Sequence, residues 1–67
     1  MTNPNVIAIA RKRIGEYFSL LMIEKNVSLK EIEKGSGVQE SIITDILLGN
    51  EYSINSFIAL AGYFIFT

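Results

Sequence analysis

The groups best suited to chemical recognition lie in one short stretch, from residue 39 to residue 45. Five of its residues carry an amide, hydroxyl or carboxylate group, namely Gln39, Glu40, Ser41, Thr44 and Asp45. On a helix that turns about 100° per residue, the last four of these share one arc with Leu48. The opposite arc collects aliphatic residues: Ile42, Ile43, Ile46 and Leu47. The pattern predicts a helix that buries its aliphatic side and presents polar groups outward.

Catalytic chemistry has little support from the residue types. The 67 residues include no histidine and no cysteine, so disulfides are excluded and a transition metal would have only carboxylate ligands. The carboxylates are scattered on helical faces that we expect to be exposed, whereas an active site needs perturbed groups that converge in a pocket. We therefore expect no enzyme activity, no bound metal, no cofactor and no small-molecule substrate.

Length and composition predict one small domain that spans residues 1–67. A chain of this size buries only about 60% of the surface that its unfolded form exposes, so its stability is marginal without further support. Hydrophobic residues make up 49% of the sequence, which favours either a dense apolar core or a second subunit. No signal-peptide pattern is present and no apolar run reaches the roughly 20 residues of a membrane span, so we expect a soluble, cytoplasmic protein without membrane contact.

The charges are unevenly distributed along the chain. All six basic residues precede position 35, whereas three acidic residues and no basic residue follow it. A surface that binds nucleic acid would therefore take its fixed positive charge from the N-terminal half. The cluster Arg11-Lys12-Arg13 is interpreted either as a solvated helix face or as a patch that contacts phosphate.

The first element is predicted to be a long helix that ends near Lys25-Asn26. Asn3 is suited to cap it and Pro4 to occupy its first position. Apolar residues then recur at intervals of three and four and form one stripe: Ile7, Ala10, Ile14, Tyr17, Phe18, Leu21 and Met22. Gly15 lies inside this helix and is explained either as a tolerated glycine or as a close helix contact or joint.

Two short helices joined by a glycine-containing turn follow, over residues 28–49. Ser28 and Glu31 have the capping-box spacing that begins a helix, and one glycine of the Gly35-Ser36-Gly37 turn is expected to end it in the left-handed conformation. The next helix is predicted over residues 39–48, with a glycine as its C-terminal breaker. The layout is that of a helix-turn-helix, which presents its second helix to a partner surface.

Ser53 is predicted to cap a fourth helix in the segment 54–66. Gly62 is a candidate end for this helix, with residues 63–66 continuing as a final turn or as an extended strand. The residues after Ser56 are almost all apolar, and such a helix is either buried on every side or paired with another chain. Three explanations stay open: the segment folds back onto the first helix, it forms a homodimer, or the chain is a truncated form of a longer one.

At residues 32–49 the sequence IEKGSGVQESIITDILLG resembles the Cro/CI-type, or Xre-like, helix-turn-helix family. The residues that match in register are Ile32, Gly37, Val38, Ile43, Ile46 and Gly49, and Ser36 is also typical. The resemblance covers roughly residues 14–62 and implies an all-α fold, a small lambda-repressor-like helix-turn-helix domain of four to five helices. Glu33 stands where the family favours alanine, at a close helix crossing, and we expect its carboxylate to snorkel out or to open the crossing.

In that family the third helix enters the major groove of double-stranded DNA. The resemblance therefore implies base-reading roles for Gln39, Glu40, Ser41, Thr44 and Asp45. It implies contacts to the DNA backbone from Ser28, Lys30, Lys34, Asn50 and Ser53. Because few cations are available, one chain is expected to bind weakly, and we predict a homodimer on two half-sites. The predicted interface residues are Phe57, Leu60, Ala61, Phe64 and Phe66.

Two functions stay open at this point. The register match favours a small sequence-specific DNA-binding transcriptional regulator that acts as a homodimer. The outward acids Glu40 and Asp45, the outward Leu48 and the lack of any base after Lys34 favour a helix-turn-helix-shaped protein interaction module instead. An antirepressor or an assembly factor with weak or no DNA binding would have this pattern.

Overall fold

The computed structural model describes residues 4–66 and consists of four α-helices joined by short turns. Their bounds are α1 Pro4–Lys25, α2 Leu29–Ser36, α3 Glu40–Leu48 and α4 Ile54–Phe66. The predicted fold class, a small all-α helix-turn-helix domain, is confirmed. α1 packs mainly against α3, while α2 packs against both α3 and α4. Among residues 4–66, no helix combines the length and the apolar character needed to cross a membrane.

The predicted ends of α1 agree with the structure where they can be compared. α1 begins at Pro4 and ends at Lys25, and the expected cap, Asn3, lies outside the described residues. Asn26 adopts a positive φ of 54°, a conformation that asparagine tolerates better than most residues, and so reverses the chain after α1.

α2 begins with the predicted capping box. The hydroxyl of Ser28 accepts a hydrogen bond from the Glu31 amide, and the Glu31 carboxylate accepts one from the Ser28 amide, both at 3.2 Å. The turn after α2 is shorter than predicted, because Gly35 is still helical and only Gly37 is left-handed, with φ 79°. The Ser36 hydroxyl donates to the Ile32 carbonyl and accepts from the Val38 amide, which fixes the chain entering this turn.

α4 begins as predicted but continues further. The Ser53 hydroxyl accepts a hydrogen bond from the Ser56 amide at 3.2 Å, which caps the helix. Gly62 as its end is wrong, because α4 continues to Phe66. The ring of Tyr63 lies against Gly35 of α2, with its Cδ1 2.8 Å from where a Cβ of Gly35 would be. Packing of the residues after Gly62 therefore outweighs the glycine's poor helix propensity.

The hydrophobic core draws on all four helices and the turn between α2 and α3. Its buried members are Phe18, Ile32, Val38, Ile43, Ile46, Leu60 and Phe64. The Phe18 ring of α1 stacks on Phe64 at a centroid distance of 5.5 Å and meets Phe57 edge-on at 5.9 Å. The C-terminal segment thus folds back onto the first helix, which accounts for one side of α4 and leaves its other side exposed.

Gly15 marks a close crossing of α1 and α3. A Cβ atom added there would lie 2.6 Å from the carbonyl oxygen of Ile46 and closer still to that of Leu47. Real side chains do not approach so closely, so only glycine fits without a shift of the backbone. Of the two explanations given for Gly15, the close helix contact is the one that the structure supports.

The apolar stripe predicted along α1 is buried only in part. Phe18 is 4% exposed and Ile14 is half-buried, whereas Ile7, Ala10 and Tyr17 are exposed. Gly49, which ends α3, lies against the backbone of Lys12. The first two turns of α1 therefore extend beyond the end of α3, and the stripe has no core to meet there.

Candidate functional site

The orientation of α3 determines which side chains the helix-turn-helix presents. Ile43 and Ile46 are both 0% exposed, so the side of α3 opposite them faces out of the molecule. All five predicted base-reading residues lie there or at the helix start. Gln39 and Ser41 are exposed, whereas Glu40, Thr44 and Asp45 are half-buried. Leu48 follows them at the far end of the helix and is 67% exposed.

The start of α3 is capped from α2. The N-cap residue Gln39 makes no side-chain capping hydrogen bond; instead, Oε2 of Glu33 accepts a hydrogen bond from the Glu40 amide at 3.0 Å. A carboxylate is favourable at a helix N-terminus because it meets unpaired N–H groups and the positive end of the helix dipole. The Glu33 carboxylate thus reaches the start of α3, a role that the expectation for this residue did not include. The Gln39 side chain remains exposed.

The end of α3 is held by a second polar contact, between a predicted base reader and a predicted backbone contact. The Asn50 amide side chain donates to Oδ1 of Asp45 at 3.3 Å, and the Asn50 backbone N–H donates to the Asp45 carbonyl at 2.8 Å. Asp45 therefore fixes the loop after α3, and part of its acceptor capacity is already used.

The predicted backbone contacts divide into two kinds. Ser28 and Ser53 use their hydroxyl oxygens to cap α2 and α4, although both residues remain exposed. Lys30 and Lys34 lie one turn apart on α2 and are also exposed, so their ammonium groups can reach an external anion. Ser28, Lys30 and Lys34 belong to the helix-turn-helix, whereas Asn50 and Ser53 belong to the loop that follows α3.

The basic cluster of α1 lies beside the same loop. The backbone of Lys12 packs against Gly49 at the end of α3, and Nη1 of Arg11 lies 3.9 Å from Oε1 of Glu51. Lys12 and Arg13 are exposed. The sequence left open whether this cluster was a solvated helix face or a phosphate contact. The contact of Lys12 with Gly49 brings one further exposed cation to the end of the presented helix.

The predicted dimer interface needs a correction. Leu60 is 0% exposed and Phe64 is 6% exposed, so both belong to the core of their own chain and offer no surface to a second copy. Phe57 and Ala61 are half-buried, and Phe66 is 90% exposed. The sequence could not separate these residues, because nearly every residue of α4 is apolar and its apolar pattern therefore does not mark a core face.

Two surface depressions accompany these features. An apolar groove of about 450 Å³ lies between α1 and α4 and is lined by residues that include Tyr17, Leu21, Ala61 and Ile65. A shallower depression of about 390 Å³ borders Gln39, between the turn and the start of α4. Within residues 4–66, no polar side chain is buried and no cluster of acidic residues could hold a metal ion.

Comparisons of this chain with protein-family models, with curated proteins and with solved structures found no match.

Proposed function

We propose that the chain is a small sequence-specific DNA-binding transcriptional regulator that inserts α3 into the major groove and acts as a homodimer. The observation that carries the proposal is the orientation of α3, which buries Ile43 and Ile46 and turns Gln39, Ser41 and Thr44 outward. A helix presented in this way by a helix-turn-helix fits the width of the major groove.

The side chains at the start of α3 suit the recognition of base edges. A glutamine amide can pair with the N6 and N7 groups of adenine, and hydroxyl groups of serine or threonine bond to several bases. The capping of α3 by Glu33 supports this role, because it leaves the Gln39 amide available for an external partner. A good bidentate pair of this kind discriminates against the wrong base by about 1–3 kcal/mol.

Cations on both sides of α3 support binding to phosphate. Lys30 and Lys34 lie on α2, and Lys12 lies beside the loop that follows α3. If these three lysines each neutralise one phosphate, the slope of log K against log salt is about −2.7 for one protomer, from about −0.9 per phosphate. That contribution is modest, so useful affinity requires two protomers on two half-sites.

A fluorescence-anisotropy titration tests this proposal. Duplexes from the chain's own locus and scrambled duplexes of the same length are titrated at about 50 and 200 mM salt, a range over which phosphate contacts weaken strongly. We expect tighter binding to one locus fragment and loss of that preference in Gln39→Ala. Equal, weak binding to all duplexes at micromolar protein would reject sequence-specific DNA binding.

The exposed Leu48 favours a second function, a protein interaction module such as an antirepressor or an assembly factor. It is 67% exposed and shares the presented side of α3 with two carboxylates, which repel phosphate. A pull-down with products of neighbouring genes, comparing wild type with Leu48→Ala and Asp45→Lys, tests this function. If neither variant changes any partner binding while Gln39→Ala abolishes DNA binding, the interaction function is rejected.

A further inference from the structure

The outer side of α4 carries an unpartnered row of large aliphatic side chains. Ile54, Ile58 and Ile65 are 67%, 59% and 75% exposed, and Ala61 between them is half-buried. At about 100° per residue these four residues fall within an arc of about 60°, on the side away from the core residue Leu60. We call them the α4 stripe. Monomeric proteins rarely leave such a continuous apolar surface open to water.

We propose that the α4 stripe is the contact surface for the α4 stripe of a second copy of this chain, packed antiparallel about a two-fold axis. The proposed function includes a homodimer, and this inference rests on that part of it and names the surfaces that meet. It does not depend on DNA binding. It replaces the interface predicted from the sequence, which included the core residues Leu60 and Phe64.

The spacing of the stripe is the first argument for a second copy. The intervals from Ile54 through Ile58 and Ala61 to Ile65 are four, three and four residues, so they read the same from either end. Intervals of three and four are those of a helix seam that packs on another helix. A two-fold axis between Ile58 and Ala61 therefore places every member of the stripe opposite a member of the other stripe.

That axis brings together two kinds of side-chain pair. Ile54 of one copy lies opposite Ile65 of the other, and Ile58 lies opposite Ala61. At the centre, a large isoleucine facing a small alanine lets the two helices interdigitate, while the outer pairs are isoleucine on isoleucine. A self-complementary surface of this kind is what an isologous dimer requires.

Charge is the second argument. No charged residue occurs from Tyr52 to the end of the sequence, so the α4 stripe offers nothing to pair with an acidic or basic partner. Two copies of the stripe meet without like charges opposite each other, and the whole chain has a formal net charge of only −1. The surface therefore favours a second uncharged helix face over nucleic acid or a charged peptide.

The surroundings of the stripe supply the additional area that a dimer needs. A stable interface buries about 800 Å² per partner, and four side chains alone give less. Ala61 and Ile65 also line the apolar groove between α1 and α4, where Tyr17 is 61% exposed. Because they share Ala61 and Ile65, the stripe and the groove form one continuous apolar surface.

A pair of complementary charge variants tests both the interface and its antiparallel register. In a homodimer of either Ile54→Glu or Ile65→Lys, the substitution occurs twice, and each time it places an unpaired charge opposite an isoleucine of the other copy. Each variant alone is therefore expected to be monomeric. In an equimolar mixture, one carboxylate meets one ammonium across the axis and the other Ile54–Ile65 pair is unchanged. We expect the mixture to recover the wild-type mass in size-exclusion chromatography with light scattering, without DNA.

The controls separate the interface from folding. Both substituted positions are mostly exposed, so circular dichroism should show unchanged helix content in each variant. Ile23→Glu adds a charge at a 77% exposed residue of α1, away from α4, and should leave the dimer intact.

Three results would overturn the proposal. They are a monomeric wild type at micromolar concentration, a dimer that persists in Ile54→Glu, and two monomeric variants whose mixture stays monomeric. The third result would show that the α4 helices do not pair antiparallel in this register. A dimer that behaves as expected but binds no DNA would reject the proposed function and leave this interface standing.

Discussion

The carboxylate of Glu33 on α2 accepts a hydrogen bond from the backbone N–H of Glu40, the first residue of α3, at 3.0 Å. This contact crosses the turn and joins the two helices of the helix-turn-helix at the point where α3 begins. The residue that would ordinarily cap α3, Gln39, makes no side-chain capping bond. Glu33 therefore caps the presented helix, while the side chain of Gln39 stays exposed.

Replacing Glu33 by alanine should destabilise the fold. The substitution leaves the Glu40 amide without its partner, and loss of a helix N-cap costs about 1 kcal/mol in free energy of unfolding. Glu33→Gln keeps an acceptor oxygen but loses the charge, so it should cost less. Urea denaturation measures the free energy of unfolding of both variants. Glu24→Ala, at an exposed position of α1, is the control. Equal stability of Glu33→Ala and wild type would show that this contact does not contribute.

The features predicted correctly from the sequence are those set by neighbours along the chain. Ser28 and Glu31 are three residues apart, so local geometry alone produces their capping box. The inward position of Ile43 and Ile46 follows from helical periodicity within nine residues. These two rules account for the helix-turn-helix and for the side of α3 that faces outward.

The features missed from the sequence depend on distant packing. Glu33 caps α3 from seven residues away, across a turn whose shape local rules do not give. Gly62 has a poor helix propensity, yet α4 continues because Phe64 is buried against Phe18. The signal that could have indicated the Glu33 contact is a carboxylate at a helix crossing, next to a helix start that lacks its own side-chain cap.

Gly15 and Gly62 provide a matched pair for helix packing. Both are helical, but a Cβ at Gly15 would collide with the Ile46 and Leu47 carbonyl oxygens, whereas one at Gly62 meets nothing within 4 Å. Gly15→Ala should therefore lower the free energy of unfolding by about 1–3 kcal/mol, as overpacking does. Gly62→Ala should raise it by about 0.4–1 kcal/mol. Thermal denaturation at one protein concentration measures both, and a stabilised Gly15→Ala would contradict the close crossing.

Asp45 offers a test of how charge on α3 affects DNA binding. Asp45→Asn removes a carboxylate that repels phosphate, and its amide oxygen can still accept the bond from Asn50. We expect this variant to bind all duplexes more tightly and with little change in stability, because the added affinity is electrostatic and independent of sequence. Anisotropy titration measures the effect, and Glu24→Gln, which neutralises an acid on α1, is the control. Unchanged affinity in Asp45→Asn would place α3 away from the DNA.

The basic cluster beside Gly49 yields the last prediction. If the exposed Lys12 contacts a phosphate, Lys12→Gln should make the slope of log K against log salt shallower by about 0.9 per protomer and weaken binding equally for all sequences. Lys12→Arg keeps the charge and should keep the slope. Titrations at several salt concentrations measure the slope for each protein. An unchanged slope in Lys12→Gln, with base preference and folding intact, would identify the cluster as a solvated helix face and assign the phosphate contacts to α2 alone.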